Sequence, residues 1–513
     1  MKHINRRSFL KTSAAAGGAL LVTPYLDGNI FASPVISPNG YFLSEFGIDD
    51  ALCSELLTKA LSRGGDFADL YFEHTLNNWL VLEDGKVNQS YGVVKLGVGI
   101  RTVKGDQIGY GYTEVLDKKS MLSAASTAAS MVNEKAITAP TGFKTLNSNN
   151  YYPIIRPFED VALKTKLPLV KAINDHCFAQ SPLVKKVQAT FHDSMKRVMV
   201  ITSDGIKTED VLPRSYLSAL TVAEKDGRKE QAWYNIGGRR DFDFYNMTTP
   251  KQVAEEVVKR TLTAFDAIQP PAGEMPVVLG PGVTGILLHE AIGHGMEADF
   301  NRKGISTYSD MIGKKVAEPF VNIIDDGTMN NLTGAINFDD EGNKGQKTVL
   351  VENGILTGYL HDKISAKHYG VAPTGNGRRE SYEHYPVPRM CNTYMTAGSE
   401  APEDVIKAAK NGIYIEDVSN GQVKIGEGDF AFFVSRGRLI EDGKLTAPIK
   451  DVNIMGNGPK MLENITMLGN DLQMDTGGAG MCGKAGQGVP VSFGLPTSLV
   501  KSMTVGGTKQ KGA

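Results

Sequence analysis

The chain has 513 residues, enough for two to four domains, and its 41% hydrophobic and 22% charged content is that of a soluble globular protein. A formal net charge of −2 leaves no electrostatic footprint for a nucleic acid. The four cysteines, Cys53, Cys177, Cys391 and Cys482, form neither a C-x-x-C pair nor a dense disulfide framework.

The chain begins with a targeting signal. Asn5-Arg6-Arg7-Ser8-Phe9-Leu10-Lys11 is a twin-arginine motif, and the apolar run at residues 14–22 behind it is too short to stay in a bilayer as a spanning helix. Ile30-Phe31-Ala32 is a candidate cleavage site, so residues 1–32 read as a signal peptide. The mature protein is then expected in the periplasm, without a permanent membrane anchor. This route carries folded proteins, often with their metal already in place.

Next comes an α/β unit over residues 45–137. Ile48, Leu52, Leu56, Leu57, Ala60 and Leu61 recur at helical spacing and predict a helix at 47–64. A strand begins at 68–73. Hairpins are expected at 80–91 around Asp84-Gly85 and at 93–113 around Lys104-Gly105-Asp106, then a helix at 117–135. Residues 135–152, with Pro140, Gly142 and several Asn, read as a linker. A central α+β unit over 152–267 follows: a helix at 159–180, an antiparallel meander at 187–235 and a helix at 250–267. The meander turns at Ser203-Asp204-Gly205 and Lys225-Asp226-Gly227.

The third unit, 273–510, opens with a strand at 276–279. Gly280, Pro281 and Gly282 then turn the chain into an apolar helix that carries His289, Glu290 and His294. Two imidazoles and an adjoining carboxylate are the parts of a zinc hydrolase. The imidazoles hold the ion, and the carboxylate takes a proton from the water it activates. The spacing is H-E-x-x-x-H, one residue longer than the common form. On a regular helix, positions i and i+5 point roughly 140° apart. Both rings reach one ion only if the helix widens as a π-bulge or ends near His294, and Gly293 and Gly295 favour either distortion. A buried helix that happens to contain two histidines is the alternative.

Past this helix, short apolar runs at 321–324, 347–351, 355–359, 422–425, 430–435 and 438–440 alternate with Gly/Asn/Asp turns and predict a strongly bent sheet or barrel. No repeat of 20–50 residues is present. Cys482 sits in the glycine-rich stretch Thr476-Gly-Gly-Ala-Gly-Met-Cys-Gly-Lys-Ala-Gly-Gln-Gly488, where backbone and ligand can come close. It reads either as a metal thiolate or as a small buried residue.

Three separated stretches carry a resemblance. His289-Glu-Ala-Ile-Gly-His-Gly-Met-Glu-Ala-Asp299, Gly375-Asn-Gly-Arg-Arg-Glu-Ser-Tyr382 with Pro388-Arg-Met390 and Asn392-Thr393, and Gly480-Met-Cys-Gly-Lys484 resemble the TldD side of the TldD/PmbA metallopeptidase family. The resemblance implies an α+β chain, with an α/β N-terminal part and a strand-rich pseudo-barrel as its C-terminal part. It implies Zn²⁺ held by His289, His294 and Cys482, with Glu290 as general base. The implied activity is hydrolysis of peptides or unfolded polypeptide segments in a closed chamber between two subunits. The dimer is either a homodimer or a heterodimer with a PmbA-type paralogue that lacks the metal motif. The twin-arginine signal departs from that pattern. A thiolate ligand donates more charge than a carboxylate, so a weaker Lewis acid is expected than in a two-His, one-Glu site.

Four further residues are substrate-binding candidates. Arg378 and Arg379 are placed to grip peptide carbonyls or a carboxylate, with surface ion pairs as the alternative. Tyr382 and His384, with neighbouring Tyr385, are oxyanion donors or structural. Glu297 and Asp299 read as partners of the ligands or as a competing third ligand. His361 and His368, seven residues apart, read as structural residues sharing a helix face. Against the peptidase stands a non-catalytic binding or scaffold subunit whose zinc is closed off by a fourth protein ligand.

Overall fold

The computed structural model describes residues 40–507. The signal and cleavage site at 1–32, and the last three residues of the unit expected to end at 510, lie outside the described residues. No helix among those described is long and apolar enough to cross a membrane.

The N-terminal half is built on one sheet whose very long strands pair antiparallel. Phe67–Glu83 pairs on one side with Lys86–Lys104 and on the other with Val184–Thr202, which in turn pairs with Ile206–Lys225. Gln107–Thr113 and Arg228–Gly238 extend the sheet at its two ends. A 19-residue strand reaches roughly 60 Å. The turns are those expected from the Asp-Gly pairs. Asp84 and Gly85 have φ of 48° and 80°, and Asp226 and Gly227 have 51° and 77°, the left-handed pair that a two-residue hairpin needs.

Strand alternation decides what each face meets. In Phe67–Glu83 the even residues Leu70, Phe72, Leu80 and Leu82 lie under helices. The first two share a core with Asp50–Ala60 and Lys118–Ala129, the last two with Leu163–Gln180 and Thr248–Thr263. Asp49 and Asp117 cap two of these helices by accepting the Leu52 and Ser120 amides. The odd residue Tyr71 turns to the other face, where it packs with Ala335, Ile336, Tyr382 and Cys391 of the C-terminal half.

The units expected at 45–137 and 152–267 therefore share one sheet. The stretch expected as a linker contributes a strand of its own, Lys144–Thr145, paired with Ile206–Lys207. Hairpin signals show where a strand turns; they carry no information about its second neighbour. The helix expected at 47–64 is Asp50–Ala60, and a short helix that was not expected, Tyr41–Phe46, precedes it across Gly47 (φ 69°).

The C-terminal half holds a closed five-stranded ring. Gly273–Leu279 pairs with Gly412–Lys424, which pairs with Asp429–Glu441, then Val452–Asn457, then Ser498–Gly507, and that strand returns to Gly273–Leu279. This is the expected pseudo-barrel. The short runs expected at 430–435 and 438–440 are one strand. Beside the ring lies a six-stranded sheet that includes Ile323–Asp326, Asn392–Met395 and Ser492–Leu495. One apolar core fills the space between the ring, this sheet and the segment bearing His289.

Candidate metal centre

The segment bearing the histidines is helical but irregular. A 3-10 turn Val283–Gly285 leads into an α-turn Ile286–Leu288, a π-turn His289–Gly293 and a second 3-10 turn His294–Met296. The π-turn spans the interval between the two histidines, as the five-residue spacing requires for both rings to face one point. Two close approaches fix it. A Cβ on Gly285 would lie 2.6 Å from the Gly494 nitrogen of the neighbouring strand, and one on Gly293 would lie 2.1 Å from the Met390 sulfur. Apolar Leu287, Leu288 and Ile292 anchor the other side of the turn in the core.

Cys482 arrives from a separate hairpin, Met481–Lys484 with Gln487–Pro490, turning at Ala485 (φ 52°) and Gly486 (φ 73°). Buried Arg389 holds this hairpin by donating to the Cys482 carbonyl, and to the Gln487 carbonyl at 3.3 Å. Glu380 accepts the Gly488 amide at 2.7 Å, and its own amide donates to Gln487 Oε1 at 3.2 Å.

His289, His294 and Cys482 converge, with donor atoms all within 4.8 Å of one another. Cys482 Sγ lies 3.3 Å from His294 Nε2. A tetrahedral zinc, with bonds of 2.0–2.3 Å, brings such atoms to about 3.3–3.6 Å. All three side chains are buried, and both ring nitrogens of His289 lack a hydrogen-bond partner. Buried imidazole nitrogens left unpaired are costly, and an ion at this point satisfies them. Burial pushes the Cys482 thiol up, but the facing His289 and His294 rings outweigh it and hold the group well below its usual range. The donor set therefore fits a soft, tetrahedral ion such as zinc.

Glu290 lies beside His294 and is partly exposed. Its side chain keeps 24% exposure, and its carboxylate lies 3.7 Å from His294 Nε2. Glu297 is fully buried on the far side of His294, accepting from Nδ1 at 2.9 Å. Burial pushes Glu297 up, but Lys484 and His294 prevail and lower it to about 2. Burial disfavours the His294 cation, yet Glu297 and Cys482 raise it well above the usual imidazole value. Asp299 is raised, with burial outweighing Lys484. Both acids meet Lys484 rather than the three donor atoms, Glu297 at 2.9 Å and Asp299 at 2.7 Å.

The substrate-binding candidates sit in the scaffold. Arg378 is 4% exposed and donates to the carbonyls of Met390 and Pro490. Arg379, at 2%, spends its guanidinium on Asp69 and the Asp340 carbonyl. Neither lies in a surface ion pair. Tyr382 is buried under the long sheet, with its amide donating to Glu73 and its ring against Gly97. His384 is half-buried, 3.3 Å from Ser381 Oγ, and Tyr385 is exposed. His361 precedes the helix Lys363–Tyr369 that bears His368, so the two share no helix face. Sequence reasoning gave no role to Lys484, although it stands two positions past Cys482, on the same side of one strand.

Two buried imidazoles and a thiolate that converge beside a partly exposed carboxylate make up the kind of centre found in metallopeptidases. Models of the PmbA/TldA metallopeptidase match the chain three times: domain 1 at residues 68–132, the central domain at 156–265 and the C-terminal domain at 272–507. The chain belongs to the PmbA/TldD metallopeptidase family. It is 38% identical over 453 residues to the metalloprotease TldD homolog of Haemophilus influenzae, covering 87% of this chain and 94% of that protein. It is 27% identical over 452 residues to the zinc metalloprotease TldD homolog of Saccharolobus solfataricus, covering 88% and 99%. The fold is shared with a Thermotoga maritima structure named as a modulator of a DNA gyrase, with TM-score 0.70, 21% identity and coverage of 86% and 96%. Residues 3–23 match the twin-arginine signal family, which supports export.

Proposed function

We propose that the mature chain is a periplasmic zinc peptidase that cleaves peptides or unfolded segments. His289, His294 and Cys482 hold the ion and Glu290 serves as general base. It works as half of a dimer, with a second copy or a PmbA-type paralogue. The convergence of two imidazoles and a thiolate from a strand 188 residues further along carries this reading. Three protein donors leave a four-coordinate ion one position for substrate or water, the pattern of a catalytic rather than a closed site. The zinc, when bound, supplies Lewis acidity toward the scissile carbonyl and a lowered pKa for water.

The remaining work falls to the chain. Glu290, solvent-accessible beside His294, accepts the proton of the attacking water and returns it to the leaving amine. The apolar core beneath the π-turn keeps water from the back of the site. Glu297 orients the His294 ring so that Nε2 faces Cys482.

Glu290→Gln is expected to keep one zinc per chain and to lose cleavage of unstructured peptides. General-base assistance is worth about 10²–10⁴-fold, and wild-type turnover removes Glu290 from this role. Cys482→Ala is expected to lower zinc content, and one tightly held zinc in that variant assigns the third ligand elsewhere.

A further inference from the structure

We propose that Lys484 is a positioning residue for the metal centre, acting through Glu297 on the His294 ring. The proposal rests on the metal-site reading above and adds to it a coupling between the two segments that build the site.

The ammonium of Lys484 has three N–H donors and three partners: Glu297 Oε2 at 2.9 Å, Asp299 Oδ1 at 2.7 Å and the Pro388 carbonyl at 3.0 Å. It also lies 4.2 Å from the centre of the Phe300 ring. The side chain is 5% exposed, and that of Glu297 is 0% exposed. Glu297 uses the same oxygen, Oε2, for Lys484 and for His294 Nδ1, while its Oε1 has no partner. That carboxylate is therefore located by two contacts, one on the histidine segment and one on the cysteine strand.

Because Cys482 and Lys484 alternate with Gly483 on one strand, they point the same way. One four-residue strand thus delivers a sulfur to the site and a cation to the acid that orients the opposite imidazole. Without the ammonium, Glu297 and Asp299 face each other as like charges in a buried place, and repulsion draws Glu297 away from Nδ1. The ring then loses the hydrogen bond that aims Nε2 at Cys482. Ligand-orienting partners of this kind are worth about 10–100-fold in metal affinity.

The test uses the full mature chain. Zinc affinity is measured by chelator competition, and the cobalt-substituted protein is followed by its thiolate and d–d absorption. Wild type, Lys484→Met, Glu297→Gln and the double variant form a cycle. The expected result is a 10–100-fold weaker site in Lys484→Met, with an altered cobalt spectrum, and little further loss when Lys484→Met is added to Glu297→Gln. Additive losses overturn the proposal, as does wild-type affinity in Lys484→Met. If Lys484→Met does not fold, Lys484→Arg is read in its place: the planar guanidinium cannot reproduce the three-way contact, so intermediate affinity supports the coupling and unchanged affinity overturns it. A wild-type chain that binds neither ion, or binds without a cobalt–thiolate band, refutes the metal-site reading itself, and the proposal falls with it.

Discussion

Arg101→Met tests whether the long sheet and the C-terminal half are joined by charge rather than by shape. Arg101 is fully buried and donates through Nε and one terminal nitrogen to Asp69 on the adjoining strand. The same terminal nitrogen reaches Glu341 of the C-terminal half at 2.8 Å. Both acids are buried. Methionine keeps most of the volume and removes the cation. Asp69 would retain Arg379 at 3.2 Å, but Glu341 would retain only the Lys363 amide at 2.7 Å. Breaking a buried pair from one side leaves an uncompensated charge and costs about 3–5 kcal/mol. Burial already raises the Glu341 pKa and Arg101 opposes it, so the substitution raises it further. A carboxyl raised on folding adds stability below its unfolded pKa and loses it as pH rises through the folded value. The deficit should therefore be larger at pH 8 than at pH 5. Urea unfolding followed by Trp79 and Trp233, both on the long sheet, measures it. A loss under about 1 kcal/mol at pH 8, or one that does not vary with pH, refutes the reasoning.

Acid sensitivity should come in part from two buried histidines. Burial, aided by Arg214, lowers His192 to about 3, and burial lowers His361 to about 4 against the pull of Asp362. Both are neutral when folded and protonate more readily when unfolded. Their stability contribution is full above about pH 6.5 and is lost as pH falls toward 4, at about 1.4 kcal/mol per pH unit for each. His361→Gln should remove one of the two slopes in acid titrations, and an unchanged slope excludes His361. Gly293→Ala should cost about 1–3 kcal/mol, because the new Cβ meets Met390 at the π-turn. Chelator competition should show weaker zinc binding in the same variant, and full affinity would mean the turn does not set the ring positions.

The geometry of the histidine pair was legible in the chain, because the five-residue spacing of His289 and His294 admits few arrangements that bring both rings together. The π-turn is one of them. Turn residues were legible because Asp-Gly adopts left-handed backbone at little cost, as it does at Asp84-Gly85 and Asp226-Gly227. Strand partnership was not. The pairing of Phe67–Glu83 with Val184–Thr202 joins segments more than a hundred residues apart, and alternation along each strand is silent about what lies beside it. Arginine roles were equally hidden. Arg378 and Arg379 lie in a Gly/Asn stretch with the composition of an exposed loop, yet both are buried because Met390, Pro490, Asp69 and Asp340 consume their donors.

The position of the sulfur depends on more than its own hairpin. Cys482 is held through Arg389, Gln487 and Glu380, and Glu380 belongs to the stretch Arg379–Tyr385. That stretch is fastened to the long sheet at several points. The Tyr110 hydroxyl lies 2.7 Å from both the Tyr382 and the His384 carbonyl oxygens, Glu73 accepts the Tyr382 amide, and Arg379 pairs with Asp69. Lys196, on the sheet's next strand, also donates to the Glu380 carbonyl at 2.9 Å. The histidine turn, by contrast, is set in the core of the C-terminal half alone. The imidazoles and the thiolate thus reach one point from two segments that share Arg389-Met390 and the Lys484–Glu297 pair, with the sulfur's side also fastened to the long sheet. The N-terminal half, which contributes no donor atom to the site, therefore takes part in setting its geometry.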